Sequence, residues 1–266
     1  MIEGDESTEV TEMLAYIRFE VIRILRNVRF LGFTVAVPAL LYLLLDGIYG
    51  GDRVGEVAAG VYLLVAMAAY GAIGAALSAN GAALAAERAS GWLRQLRVTP
   101  LSDRAWLAAR LALAPVAVAP GVLAVSLCAG VVGHVELSPA RWLALDGLLL
   151  LGSLPFGLLG MLVGLLLDAQ SAQPAQVLLL MLLSFAGGLF FPVSAFPSGV
   201  RPVLESLPSY HLLSLGEQLA IGRPPALDQL AGLVGSVVLL GALALVVWRR
   251  SDRAGAERLR RARRPA

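Results

Sequence analysis

Residues 87–104 read ERASGWLRQLRVTPLSDR, a charged stretch in the middle of a chain that is otherwise mostly apolar. Apolar runs long enough to cross a bilayer flank it on both sides, so its charge marks where one span stops and the next starts. Read as a helix, Trp92, Leu93, Leu96 and the stem of Arg97 form one apolar patch, with Glu87, Arg88, Arg94 and Gln95 available to water. Gly91 permits close approach of another backbone, and Pro100 ends the helix because the residue before a proline avoids helical geometry. Ser102 or Asp103 then caps the next span. Periodicity alone leaves two readings open: an amphipathic linker lying at the interface, or a helix that docks on a partner.

Outward from this stretch the composition is that of an integral membrane protein. Of 266 residues, 58% are hydrophobic and 15% charged, and the mean hydropathy is +0.77. Cys128 is the single cysteine, so neither a disulfide framework nor a thiolate metal site can form within one chain. The first 29 residues carry six acidic side chains before any apolar run, unlike a secretory signal, and the N-terminus is read as mature.

A bilayer core about 30 Å thick needs about 20 apolar residues of helix. Six runs meet that length: Phe30 to Tyr49, Val57 to Ala79, Leu107 to Val132, Trp142 to Leu167, Ala175 to Phe196 and Leu230 to Trp248. Arg110 and Asp146 each lie one turn inside a span, where a side chain can reach the interface or water. With both termini on one side, sixteen arginines fall on that side and only Arg53, Arg141, Arg201 and Arg223 on the other. Arginine-rich loops stay cytoplasmic, so the expected topology is a multi-pass protein of the plasma membrane with both termini inside.

The chain divides into three parts. Residues 1–29 form a cytoplasmic leader and an interfacial helix. In it Val10, Leu14, Ile17, Val21, Ile24, Leu25 and Val28 fall on one arc, with Arg23, Arg26 and Arg29 off it. Residues 30–248 hold the six spans. Residues 249–266 form an arginine-rich cytoplasmic tail with a net charge of +6, suited to anionic membrane lipids.

The pattern carried by Glu87, Arg88, Gly91, Leu93, Leu96, Thr99, Pro100 and Leu101 resembles the segment after the second span of type-2 ABC exporter permeases. A second stretch, FAGGLFFPVSAFPSGVRPVLESLPSYHLL at residues 185–213, resembles the end of span five in that family and its short re-entrant helices. Phe185, Gly187, Gly188, Phe190, Pro192, Pro197, Leu207 and Pro208 carry that likeness. The residues support it independently. Gly187-Gly188 allows close packing, Pro192 and Pro197 break the span near its outer end, and broken helix at membrane depth must be buried in protein or line a wet cavity. Residues 197–229 form a loop too long and too mixed in hydropathy to lie free, so short helices dipping into the outer leaflet are expected.

The resemblance implies an all-α permease with six transmembrane helices, an N-terminal amphipathic interfacial helix, a cytoplasmic coupling helix and re-entrant external helices between spans five and six. It implies a cytoplasmic ABC ATPase subunit as partner, docked on the coupling helix, and a second permease copy or a sister permease. It also implies outward movement of the cargo. Two departures stand out: the loop DAQSAQPAQ between spans four and five is less basic than in the family, and the acidic leader Glu3 to Glu12 has no counterpart.

Absences narrow the function further. No G-x-x-x-x-G-K-[ST] loop occurs, so a nucleotide cannot be cradled by that route and the ATPase belongs to another polypeptide. Intramembrane hydrolysis lacks a base, because His134 and His211 fall in predicted external loops with no partner the sequence can name. Asp46, Asp52, Asp146 and Asp168 are scattered over two faces, against a metal-dependent transferase. Ion coupling would call for intramembrane acidic or basic groups, which are nearly missing. The expected cargo is therefore a hydrophobic or amphiphilic compound such as a drug, antibiotic, natural product or lipid. A non-transporting structural or regulatory subunit is the alternative. No catalytic residue, cofactor, metal or nucleic-acid partner is expected.

Overall fold

In the computed structural model the described residues are 18, 20–24, 26–90 and 103–262, with only the helical backbone described for 103–108 and 251–262. They are almost entirely helical. Helix α1 spans Val28–Tyr49, and its first turn is capped by Asn27, whose side chain accepts from the Phe30 amide at 3.1 Å. A two-residue hairpin, β1 Arg53–Val54 against β2 Val57–Ala58, turns the chain back into α2, Ala59–Asn80. Gly81 then separates α2 from α3, Ala82–Ser90.

The return strokes follow. Helix α4 is Asp103–Val131, α5 is Pro139–Leu151 and α6 is Leu154–Leu166. Helix α7, Ala169–Ala186, starts at Asp168, whose carboxylate accepts from the Gln170 and Ser171 amides at 3.0 and 2.8 Å. A single turn at Val193–Ala195 leads to α8, Arg201–Glu205, and α9, Pro208–Ala220. Helix α10, Leu227–Ala262, runs past the last apolar residues into the arginine-rich tail.

Helix α2 is the axis of the bundle. It is buried on nearly every side and packs against α1, α4, α6, α7 and α9. Its run of Ala and Gly explains this position, because without a hydrophobic drive between helices in lipid, small side chains let backbones pack closely enough for dispersion to hold them. Gly160 and Gly164 of α6 do the same from the other side. A Cβ at Gly160 would sit 2.5 Å from the Leu77 carbonyl, and one at Gly164 would sit 2.6 Å from the Gly81 carbonyl.

Three details differ from the sequence expectations. First, among the described residues five helices, where six spans were expected, are long and apolar enough to cross a membrane: Val28–Tyr49, Ala59–Ser90, Ala109–Val131, Pro139–Leu166 and Leu227–Arg250. The run expected from Ala175 to Phe196 is helical only as far as Ala186, and α7 begins with the polar Gln170, Ser171, Gln173 and Gln176. Gly188 adopts φ +90°, a conformation that ends the helix and suits glycine alone. Second, the fourth span is broken rather than continuous. Gly152 and Ser153 interrupt it, Pro155 lacks the N–H that would bridge the break, and the Ser153 hydroxyl donates to the Leu150 carbonyl at 2.6 Å. Third, His211 has a partner that the sequence could not name: it lies on the buried face of α9, with Nδ1 2.6 Å from Gln229 Oε1.

Candidate functional site

At the end of the bundle where α2 gives way to α3, four charged side chains from three parts of the chain meet. Glu87 of α3 is buried; its Oε1 accepts from Arg23 Nη2 at 2.8 Å, and its Oε2 is paired with Arg110 of α4. Arg23 also reaches Glu20 at 3.0 Å, an i,i+3 pair on the helical segment that precedes α1. Burial pushes the Glu20 carboxyl above its ordinary range, Arg23 pulls it back, Glu87 raises it and Arg110 lowers it. Two carboxylates and two guanidiniums make a neutral set, the condition under which charge can be buried at all.

Arg110 is therefore not the interface anchor that its position suggests. It is almost wholly buried and turned inward onto Glu87. Asp146 likewise turns to a neighbour rather than to water, accepting from the Ser126 hydroxyl at 2.7 Å.

Arg88, next to Glu87, faces the opposite way. Its Nη1 donates to the carbonyls of Gly164 at 2.8 Å and Leu165 at 2.5 Å, the last turn of α6, where helical carbonyls have no partner of their own. The two side chains thus fasten α3 to the segment before α1, to α4 and to α6. Both polar groups of this pair act inside the chain. Gly91, Leu93, Leu96, Thr99 and Pro100 lie outside the described residues.

Just beyond the helix break, Gln176 of α7 donates from Nε2 to the Leu77 carbonyl at 2.6 Å, beside the buried Asn80. A groove of about 840 Å³ opens from the charged cluster along α1, α2 and α7. Glu20, Arg23 and Arg110 stand at one end of it, and Phe30, Phe33, Pro38, Tyr70, Gly74 and Leu180 line its length. Charge thus stands at the mouth and apolar walls lie beyond it.

At the opposite end of the bundle the second motif is drawn together. The Gly188 carbonyl accepts from the Tyr62 hydroxyl, across 126 residues of chain. Gly187 lies against Ser209, leaving no room for a Cβ, and Pro208 starts α9 in its first turn, where a missing N–H costs nothing. Phe185, Phe190 and Tyr70 pack edge to face or tilted, with centroids 5.0 to 5.6 Å apart. Pro192 precedes the turn at Val193–Ala195, and Pro197 precedes α8. Helix α9 buries Leu212, Leu213 and Leu215 among α2, α5, α7 and α10.

Glu20, Arg23 and Gln176 were not singled out by sequence reasoning. The Glu20/Arg23 spacing was a visible signal, but nothing in one sequence says that a charge in the leader meets one in a distant loop.

These features, a helical bundle of membrane length with a groove between its spans, describe a polytopic membrane protein. The family described as ABC-2 family transporter protein matches residues 50–248, and the chain belongs to it. In such transporters the ATPase lies on a separate subunit. Among curated proteins the chain is similar to YvfS of Bacillus subtilis (strain 168), a candidate transport permease by its name, with 27% identity over 233 residues, covering 88% of this chain and 95% of the relative.

Proposed function

We propose that this chain is the membrane-spanning half of an ATP-driven exporter, moving a hydrophobic or amphiphilic compound outward, with a drug, antibiotic or other natural product preferred and a lipid next. The observation that carries this reading is the groove, whose charged mouth lies at the Glu87 cluster and whose apolar walls run along α1, α2 and α7. Any movement of α3 pulls on that mouth directly.

Coupling follows from the same contacts. The ATPase engages residues 87–100, with the docking surface on Gly91, Leu93, Leu96, Thr99 and Pro100, while Glu87 and Arg88 carry the displacement into the bundle. Glu87 transmits it to the segment before α1 and to α4, and Arg88 to α6. The spans then rock as rigid bodies about the small-residue contacts of α2. Helix α7 completes six membrane crossings despite its polar first half, which puts both termini in the cytoplasm in keeping with the arginine asymmetry. α8 and α9 form an outer lid, and two permeases, identical or sister, enclose the path. The strongly apolar outer faces of α1 and α10, with Leu40, Leu44, Val238 and Leu239 exposed, suit lipid and a second permease.

The test is coexpression with the neighbouring nucleotide-binding subunit, followed by vanadate-sensitive ATP hydrolysis and dye efflux in reconstituted vesicles. A complex that hydrolyses ATP and is uncoupled by Gly91→Trp and Glu87→Ala is the expected result. A folded permease that neither copurifies with an ATPase nor responds to ATP would overturn the proposal.

A further inference from the structure

A second cavity, of about 460 Å³, lies at the end of the bundle away from Glu87, and the transport reading makes no use of it. Its walls come from the β1–β2 hairpin, the start of α2, the turn at Val193–Ala195, α8 and one face of α9. This volume falls in the range of small-molecule sites. Two of its charged groups are already satisfied. Arg223 pairs with Glu56 at 2.6 Å, joining the hairpin to the turn after α9, and Arg201 donates to the carbonyls of Phe196 at 2.8 Å and Ser194 at 2.6 Å.

Glu217 differs from both. It lies on α9 at the cavity wall, partly buried, and among the described residues its carboxylate makes neither an ion pair nor a hydrogen bond. Tyr62 and Tyr210 share the cavity with it, and Glu205 stands exposed at the rim. Burial pushes the Tyr210 phenol up, and Glu205 and Glu217 add to that, which places both carboxylates within electrostatic reach of the same ring. A carboxylate half withdrawn from water and without a partner is costly, and a cation supplied from outside removes part of the cost. Among the described residues no trio of His, Cys, Asp and Glu is grouped to hold a metal ion. Two phenol rings beside an uncompensated carboxylate suit an organic cation, which gains from ring faces as well as from the charge.

We propose that this cavity binds an organic ammonium ion, with Glu217 as counter-charge, Tyr62 and Tyr210 as aromatic walls, and the Glu56–Arg223 pair closing one edge. Glu217 is the group that makes the site sensitive to acid, because burial lifts its carboxyl to about 7. The charged and titratable groups facing it are Tyr62 from α2, Glu56 from the hairpin, Arg201 and Glu205 from α8, Tyr210 from its own helix, and Arg223 beyond it. Protonation of Glu217 removes the counter-charge and releases the cation.

The site stands at the far end from the coupling contacts, so its test needs the purified full chain alone and no ATPase. Benzylammonium is titrated calorimetrically into the protein in detergent, with benzyl alcohol as the uncharged control. Saturable binding of the ammonium alone is expected. It weakens about tenfold in Glu217→Gln, and by a similar factor in the unmodified chain on going from about pH 8 to about pH 6. No saturable binding, equal binding of the alcohol, or affinity unchanged in a folded Glu217→Gln overturns the proposal. Should that variant not fold, Glu205→Gln at the exposed rim decides: a two- to fivefold loss of affinity, roughly, is expected from the weaker field, and no change overturns the proposal.

Discussion

Glu87 and Arg23 stand 64 residues apart in the chain and meet at 2.8 Å, which ties the segment leading into the first span to the one leading out of the second. Arg110 closes on the other oxygen of the same carboxylate. One side chain therefore holds two guanidiniums, and its removal takes away the carboxylate that both share.

Glu87→Ala is expected to destabilise the purified permease by about 3–5 kcal/mol, the usual cost of breaking a buried pair by removing one partner. Arg110→Met added to it recovers part of that loss, since the buried charge that faced Glu87 is gone. Thermal unfolding of the two variants in detergent checks both statements. A double variant no more stable than Glu87→Ala contradicts the pairing.

Gly164→Leu places atoms where the Gly81 carbonyl and the Leu84 side chain already stand, the nearest at 2.6 Å. Backbone cannot yield as a flexible side chain does, so a loss of about 1–3 kcal/mol or failure to assemble is expected. Gly235→Leu, on α10 with open space around its Cβ position, serves as the control and is expected to leave stability within about 0.5 kcal/mol. Comparing the two by melting temperature separates close packing from general intolerance of a larger side chain.

The Glu217 carboxyl ordinarily titrates near 4.5 and is lifted by burial to about 7 in the folded chain. Between these values the folded state holds a proton that the unfolded state has released, so stability falls as pH rises through the window. The contribution is complete in acid and lost above about 7. Glu217→Gln is expected to flatten this part of the pH–stability curve, and a slope unaltered by the substitution refutes the assignment.

Phe33 lines the groove and is 75% exposed in the single chain. Phe33→Ala is expected to leave the stability of the purified chain within about 0.5 kcal/mol. It lowers apparent affinity for an apolar cargo by about tenfold, as the loss of one ring from a binding wall implies. Transport at varied cargo concentration reads the change as a rise in KM; a change in kcat alone places the ring outside the binding wall.

Spans one, two, three and six were legible as uninterrupted apolar runs, because a bilayer asks only for length and hydropathy. The breaks were harder to read. Pro155 sits inside an apolar run much as Pro38, Pro115 and Pro120 do, yet those three stay within helices and only the fourth span parts. What differs is the neighbour: Gly152 lies against Leu212 of α9, a contact that periodicity cannot reveal. Gly187-Gly188 was read as allowing close packing, but the end of α7 at Ala186 depends on the left-handed turn at Gly188. The charged cluster was half visible. Glu87 and Arg88 stood out through their motif, whereas Arg110 was read as reaching outward because its side-chain direction is set by a partner far away in sequence.

The break in the fourth span also constrains the order in which the protein is made. Residues 139–166 leave the ribosome as one apolar segment before Leu212 has been synthesised. The contact of Gly152 with Leu212 can only form once α9 has followed, so the bend reaches its packed form after insertion. A truncation that stops short of α9 would strand the segment in the bilayer without the helix that completes its bend, and quality-control proteases in the membrane would meet it in that form.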